Sequence, residues 1–131
     1  MKKLYTFFAI FTLTAVSAFG ATDYGLTGGG VDVTSDNCSN ITGEHIKKYA
    51  TDDEYYIKYD PATKTLTFKN ILIERTGSYN RAILNEDVDG LKIVFLGKND
   101  LSAEDSSPVR LNNNTTITIP EGGELDVHGG D

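Results

Sequence analysis

The sequence predicts an all-β fold: a short parallel β-helix of about three turns, preceded by antiparallel hairpins that cap its N-terminal end. Three observations predict it. First, between Thr65 and Val127 an alternating apolar run, a polar break and a second short run occur three times. The copies are Leu66-Thr67-Phe68 with Ile71-Leu72-Ile73, Ile93-Val94-Phe95 with Leu101, and Ile117-Thr118-Ile119 with Leu125-Asp126-Val127. Second, the offsets coincide: Ile93 to Ile117, Phe95 to Ile119 and Leu101 to Leu125 are each 24 positions, the mark of a structural repeat. Third, shorter apolar pairs lie between the copies, Ala82-Ile83-Leu84 and Val109-Arg110-Leu111, 28 positions apart from Ile83 to Leu111. Three short strands in about 24–28 residues make one turn of such a helix, and turns stack at about 4.8 Å. An antiparallel sandwich also suits short strands with turn signals. The recurrence favours the helix.

Residues 1–20 read as a secretory signal peptide. Lys2 and Lys3 are followed by an apolar, uncharged stretch from Leu4 to Phe19, and Ala18-Phe19-Gly20 places small residues before a cut at Ala21. The apolar stretch is shorter than the ~20 residues a membrane-spanning helix needs. The expected location is therefore secreted, either extracellular or at the cell surface, with no membrane insertion after cleavage. Removing Lys2 and Lys3 from the 12 basic side chains leaves 10 against 19 acidic ones, a net charge of −9. That balance excludes nucleic acid and anionic lipid as natural partners, since basic patches supply most of that affinity. Cys38 is the lone cysteine, so no internal disulfide forms, and a buried, inert thiol is expected.

In chain order, residues 21–68 form the hairpin section that caps the repeats. Leu26-Thr27 and Val31–Thr34 flank Gly28-Gly29-Gly30, a turn that supplies positive φ without steric cost. Ser35 to Thr51 is polar loop with one helical turn near Glu44–Lys48. Tyr55, Ile57 and Tyr59 alternate with Tyr56 and Lys58 as a strand with one apolar face. Asp60-Pro61-Ala62-Thr63 turns the chain back into Thr65–Phe68. Residues 69–131 are the repeat section. The predicted inward side chains, which begin just ahead of it in the hairpin partner, are Leu66, Phe68, Ile71 and Ile73; Leu91, Ile93, Phe95 and Leu101; and Ile117, Ile119, Leu125 and Val127. Gly90, Gly97, Asn99, Asn112-Asn113-Asn114 and Gly122-Gly123 suit corners, where Asn and Gly accept the left-handed region. After the third copy the chain runs to His128-Gly129-Gly130-Asp131 without a polar cap. The expectation is a chain truncated at its C-terminus, or a subunit that stacks on itself or a partner through that open end.

Tyr24-Gly25-Leu26, Val31 to Asn37, Asn40-Ile41-Thr42-Gly43 and Tyr59 to Thr67, with the later Gly90 to Asn99 and Thr116 to Gly123, resemble secreted β-repeat proteins of anaerobic bacteria. The resemblance covers nearly all of residues 24–131 and implies a right-handed parallel β-helix. Related extracellular β-helix domains bind carbohydrate, with affinity for acidic plant polysaccharide and for calcium. The resemblance implies that function at the level of the fold, with no motif carried over residue by residue.

The residues themselves offer no catalytic motif. His45 and His128 are far apart, without a Ser or Cys nucleophile in a recognisable pattern. His128, beside two glycines, reads as a turn residue. Zinc spacing of Cys and His is absent. Two constellations remain. Glu86, Asp87 and Asp89 cluster carboxylates in one loop as a candidate metal site for Ca²⁺, against the alternative of a solvated acidic corner; a full calcium shell needs six to eight oxygens. Tyr79, Arg81 and Arg110 form a candidate ligand-binding strip, because an aromatic stacks on a sugar ring and guanidinium pairs with carboxylates of an acidic glycan. The alternative is that both arginines neutralise Glu104 and Asp105. No cofactor beyond Ca²⁺ is expected. The leading function is an exported, non-catalytic module that binds polysaccharide. The alternatives are a structural or adhesive surface protein that contacts other proteins, and a fragment of a polysaccharide lyase or hydrolase.

Overall fold

The computed structural model describes residues 20–49 and 54–130, so the predicted signal segment falls almost wholly outside the described residues. Within them the chain is all-β, with no helix long and apolar enough to cross a membrane. The strands are β1 (Asp23–Gly28), β2 (Val31–Thr34), β3 (Ile46–Lys48), β4 (Tyr56–Asp60), β5 (Thr65–Lys69) and β6 (Ile71–Arg75). They continue as β7 (Ile83–Asn85), β8 (Leu91–Leu96), β9 (Lys98–Ala103), β10 (Val109–Leu111), β11 (Thr115–Thr118) and β12 (Glu124–Gly129). They form three mixed four-stranded sheets, ordered β10-β7-β1-β2, β11-β8-β5-β4 and β12-β9-β6-β3.

One rule runs through all three sheets. Strands before Thr65 pair antiparallel: β1 with β2 and β7, β3 with β6, and β4 with β5. Strands from Thr65 onward pair in parallel with their counterparts one repeat later: β5–β8–β11, β6–β9–β12 and β7–β10. The N-terminal turns form as their residues dictate. Gly29 and Gly30 take φ of +60° and +83° between β1 and β2, the two positive values a tight hairpin turn requires. A side chain at Gly30 would collide with the Arg75 guanidinium. Between β4 and β5, Asp60 Oδ1 accepts the Ala62 N–H at 2.9 Å, the expected Asx turn.

Several expectations are corrected. Glu44–Lys48 is not a helical turn: Ile46 N–H donates to Gly43 O, and Ile46–Lys48 continue as β3 against Ile71–Ile73. Tyr55 lies outside β4 and is exposed, leaving Ile57 and Tyr59 as the buried face. Cys38 is half-buried rather than buried, its thiol 3.8 Å from Ser35 O. His128 belongs to a strand, β12, and not to a turn.

The repeat itself is real, but its length is not constant. Leu66 pairs with Ile93 and Ile73 with Leu101, offsets of 27 and 28. Ile93 pairs with Ile117 at 24, whereas Leu101 pairs with Val127 and Ile83 with Val109, both at 26. The predicted equivalences of Leu101 with Leu125 and Ile83 with Leu111 are therefore each two residues out of register. A two-residue slip keeps the same face inward, so the apolar pattern survives it. The cause lies in the connections. β8 reaches β9 through Gly97 alone, while β11 reaches β12 through the five residues 119–123.

All three sheets feed one core. Leu66, Phe68, Ile71, Ile73, Leu91, Ile93, Phe95 and Leu101 are buried together with Leu26, Ile57 and Ile83, and Phe68 stacks on Phe95 at 5.1 Å between ring centroids. Buried asparagines close the corners. Asn70 Oδ1 accepts Lys98 N–H, and Asn99 Oδ1 accepts Ile71 N–H, each at 3.0 Å. Asn85 accepts the Val88 N–H, and its amide donates to Val88 O and to Thr115 Oγ1. These satisfy backbone groups that a corner would otherwise leave unpaired in the interior.

Candidate functional site

Beside the end of β6, the chain leaves the sheets in the loop 76–82, and one repeat later in the loop 104–108. The two loops are tied together by side-chain donors on backbone carbonyls and by backbone bonds. Ser106 Oγ donates to Asn80 O at 2.9 Å, and Arg81 donates through Nη1 to Ser107 O at 2.8 Å. Ala82 and Ile83 both donate their N–H groups to Pro108 O. The parallel register then stacks Arg110 on Leu84. The result is a hollow of about 310 Å³ lined by Tyr79, Arg81, Leu84, Glu86, Arg110 and Asn112.

The three residues proposed from sequence as a ligand strip, Tyr79, Arg81 and Arg110, thus share one hollow. Tyr79 is 84 % exposed and sits at φ +65°, a conformation that costs a non-glycine residue about 1–3 kcal/mol unless its surroundings hold it. Arg110 Nε donates to Asn112 Oδ1 at 3.1 Å. Among the described residues the ion pairs are His45–Glu44, Lys69–Glu54 and His128–Asp100. Neither arginine is therefore neutralised by Glu104 or Asp105. The hollow presents an aromatic face, two cations without a paired carboxylate among the described residues, one amide and one carboxylate.

The predicted metal loop is divided. Glu86 and Asp87 line a second hollow of about 290 Å³ with Asp23 and Asp32, and their N–H groups both donate to Gly25 O. Gly25, at φ +71°, leaves room for the Asp87 carboxylate that any side chain there would displace. Asp89 is not part of this hollow; its carbonyl accepts the Lys64 ammonium at 3.0 Å. Glu86 is shared by the acidic and the arginine-lined hollows.

The converging metal-type ligands among the described residues lie elsewhere. Asp100, Asp126 and His128 each bring one ligand atom within 4.8 Å of the other two. Sequence reasoning missed them because they are joined by register and not by spacing. The signal that finds them is Asp-x-His on β12 laid beside β9 at an offset of 26.

A further hollow, of about 530 Å³, lies on the hairpin section and is lined by Cys38, Lys58, Tyr59, Asp60, Thr65 and Thr67 among others. Burial pushes the Tyr59 phenol above its ordinary value, with Tyr24, Asp60 and Cys38 adding to the shift. No protein-family model matches the chain, and no curated protein or solved structure matches it either.

Proposed function

We propose that the protein is an exported, non-catalytic module built as a short right-handed parallel β-helix, and that it binds acidic polysaccharide through the hollow of Tyr79, Arg81 and Arg110. The helix reading is supported by three parallel ladders that stack successive repeats around one core. Its three faces are then the three sheets, and the antiparallel strands β1–β4 close its N-terminal end.

The observation that carries the binding reading is Tyr79. A large aromatic, 84 % exposed and in left-handed backbone, stands beside two guanidinium groups with no carboxylate partner among the described residues. Such a ring offers a sugar an apolar platform, and the arginines offer bidentate bonds to a uronate carboxylate. Glu86 and Asn112 supply acceptors and donors for hydroxyl groups. The hollow, at about 310 Å³, is at the small end for ligand sites, which suits a short stretch of a longer glycan.

A glycan array with the purified protein, run with calcium and then with chelator, tests this. Binding to uronate-containing polysaccharides and not to neutral ones is expected. Silence from a folded, monodisperse sample refutes the reading. Release of unsaturated uronate from pectin overturns its non-catalytic part.

A second reading, a structural protein that stacks on its own copies, is favoured by one observation. Among the described residues β10, β11 and β12 are all edge strands; Ile117 and Val127 on them, and Ile119 in the connection after β11, are nearly half exposed. Open edges with apolar side chains template association. Sedimentation velocity decides: a monomer across the micromolar range sets this reading aside.

A further inference from the structure

The outer face of the sheet β12-β9-β6-β3 carries a set of side chains that only the parallel register assembles. Asp100 of β9 is the direct partner of Asp126 of β12, and His128 is the partner of Ser102. Asp126 and His128 are two apart on one strand and so share its face. One ligand atom from each of Asp100, Asp126 and His128 lies within 4.8 Å of the other two.

Two carboxylates directly opposite each other on neighbouring strands repel. The Asp100 side chain is only 23 % exposed, so water screens it poorly, and the His128 imidazole Nε2 stands at 3.7 Å, too far for a hydrogen bond. Among the described residues no side-chain donor hydrogen-bonds the Asp100 carboxylate. Lys98 shares the face but stands opposite Glu124, and it forms no ion pair among the described residues. Glu74, in register with Ser102 on the far side from His128, adds a further negative charge to the face. The local charge is unbalanced, and the groups that unbalance it are metal ligands in convergent positions.

We propose that Asp100, Asp126 and His128 form a site for a divalent transition-metal ion of the zinc class, which clasps the edge strand β12 onto β9. The imidazole selects this class over calcium or magnesium, which take oxygen shells and more ligands. Two carboxylates and one histidine leave a position for water in a tetrahedral shell. The adjoining hollow of about 310 Å³, lined by Glu74, Ser102, His128 and Gly129 among others, gives that position access to solvent. The ion ties β12 to β9, its one strand partner among the described residues.

Titration calorimetry of zinc chloride into the chelator-stripped protein tests the site. One equivalent is expected, weakened at least ~10-fold in Asp126→Asn and in His128→Gln, and unchanged in His45→Gln. Equimolar calcium is expected to leave the zinc isotherm unchanged. Imidazole NMR on the unsubstituted protein keeps the test independent of variant folding: zinc is expected to shift the His128 ring and leave His45 in place. Absence of zinc uptake, uptake unaltered in both variants, displacement by calcium, or a shift confined to His45 would each overturn the proposal.

Discussion

The second and third rungs of the repeat carry nearly the same apolar alternation and meet opposite fates. Ile93 and Ile117 are register partners on β8 and β11, yet Ile93 is fully buried and Ile117 is 45 % exposed. Leu101 and Val127, partners on β9 and β12, repeat the contrast. The inward direction of a side chain follows from strand periodicity, but its burial follows from whether another rung lies above it. In a stacked architecture each rung is covered by its neighbours, so identical sequence patterns have unequal energetic weight.

Breaking the comparison from the covered side gives the largest effect. Phe95→Ala removes a ring stacked on Phe68 in the core and is expected to cost about 3–5 kcal/mol in denaturant unfolding. Ile93→Ala at the neighbouring inward position is expected to cost about 2–5 kcal/mol. Asn85→Ala comes next. It strips the Val88 N–H and C=O of their buried partner, which is expected to cost about 1–3 kcal/mol. Ile117→Ala, the open-rung counterpart, is expected to cost below about 1 kcal/mol, because much of that side chain already meets water. Equal losses at Ile93 and Ile117 would show that something covers the third rung in solution.

The smallest effect lies at the hairpin end and depends on pH. Burial raises the Tyr59 pKa above its ordinary 10.0, so the folded state favours the protonated phenol. Stability is then full below about pH 10 and falls as pH rises from there through the raised value. Tyr59→Phe is expected to remove that alkaline loss while leaving neutral-pH stability little changed, as read by urea midpoints from pH 8 to 11.

The eight inward residues of the first two rungs were legible in the sequence, because period-2 alternation is insensitive to how rungs align. So were the Gly29-Gly30 hairpin and the Asp60 turn, whose chemistry is local. The grouping of Arg81 with Arg110 was also within reach, since the two lie about one repeat apart in the sequence. What sequence could not supply was the register of β9 with β12. With a constant offset of 24, Asp100 faces Glu124 and His128 faces Glu104, and no metal set emerges. Two extra residues in the 119–123 connection shift the pairing to 26 and bring Asp100, Asp126 and His128 together. The exposed third rung was equally hidden, since alternation marks a face and not what covers it. The antiparallel β3 was hidden too: Ile46–Lys48 is too short for propensity to show, and its strand state comes from pairing with β6.

The most direct test of the binding account is calorimetry of an acidic oligogalacturonide against the protein and its Arg110→Ala variant. Arg110 is an exposed strand residue whose Nε bonds to Asn112, so its loss leaves the fold intact. The account predicts measurable binding that weakens about 10-fold or more in the variant, in keeping with a lost charge-assisted bidentate contact. Equal affinity in both proteins, or no binding by either, would contradict it.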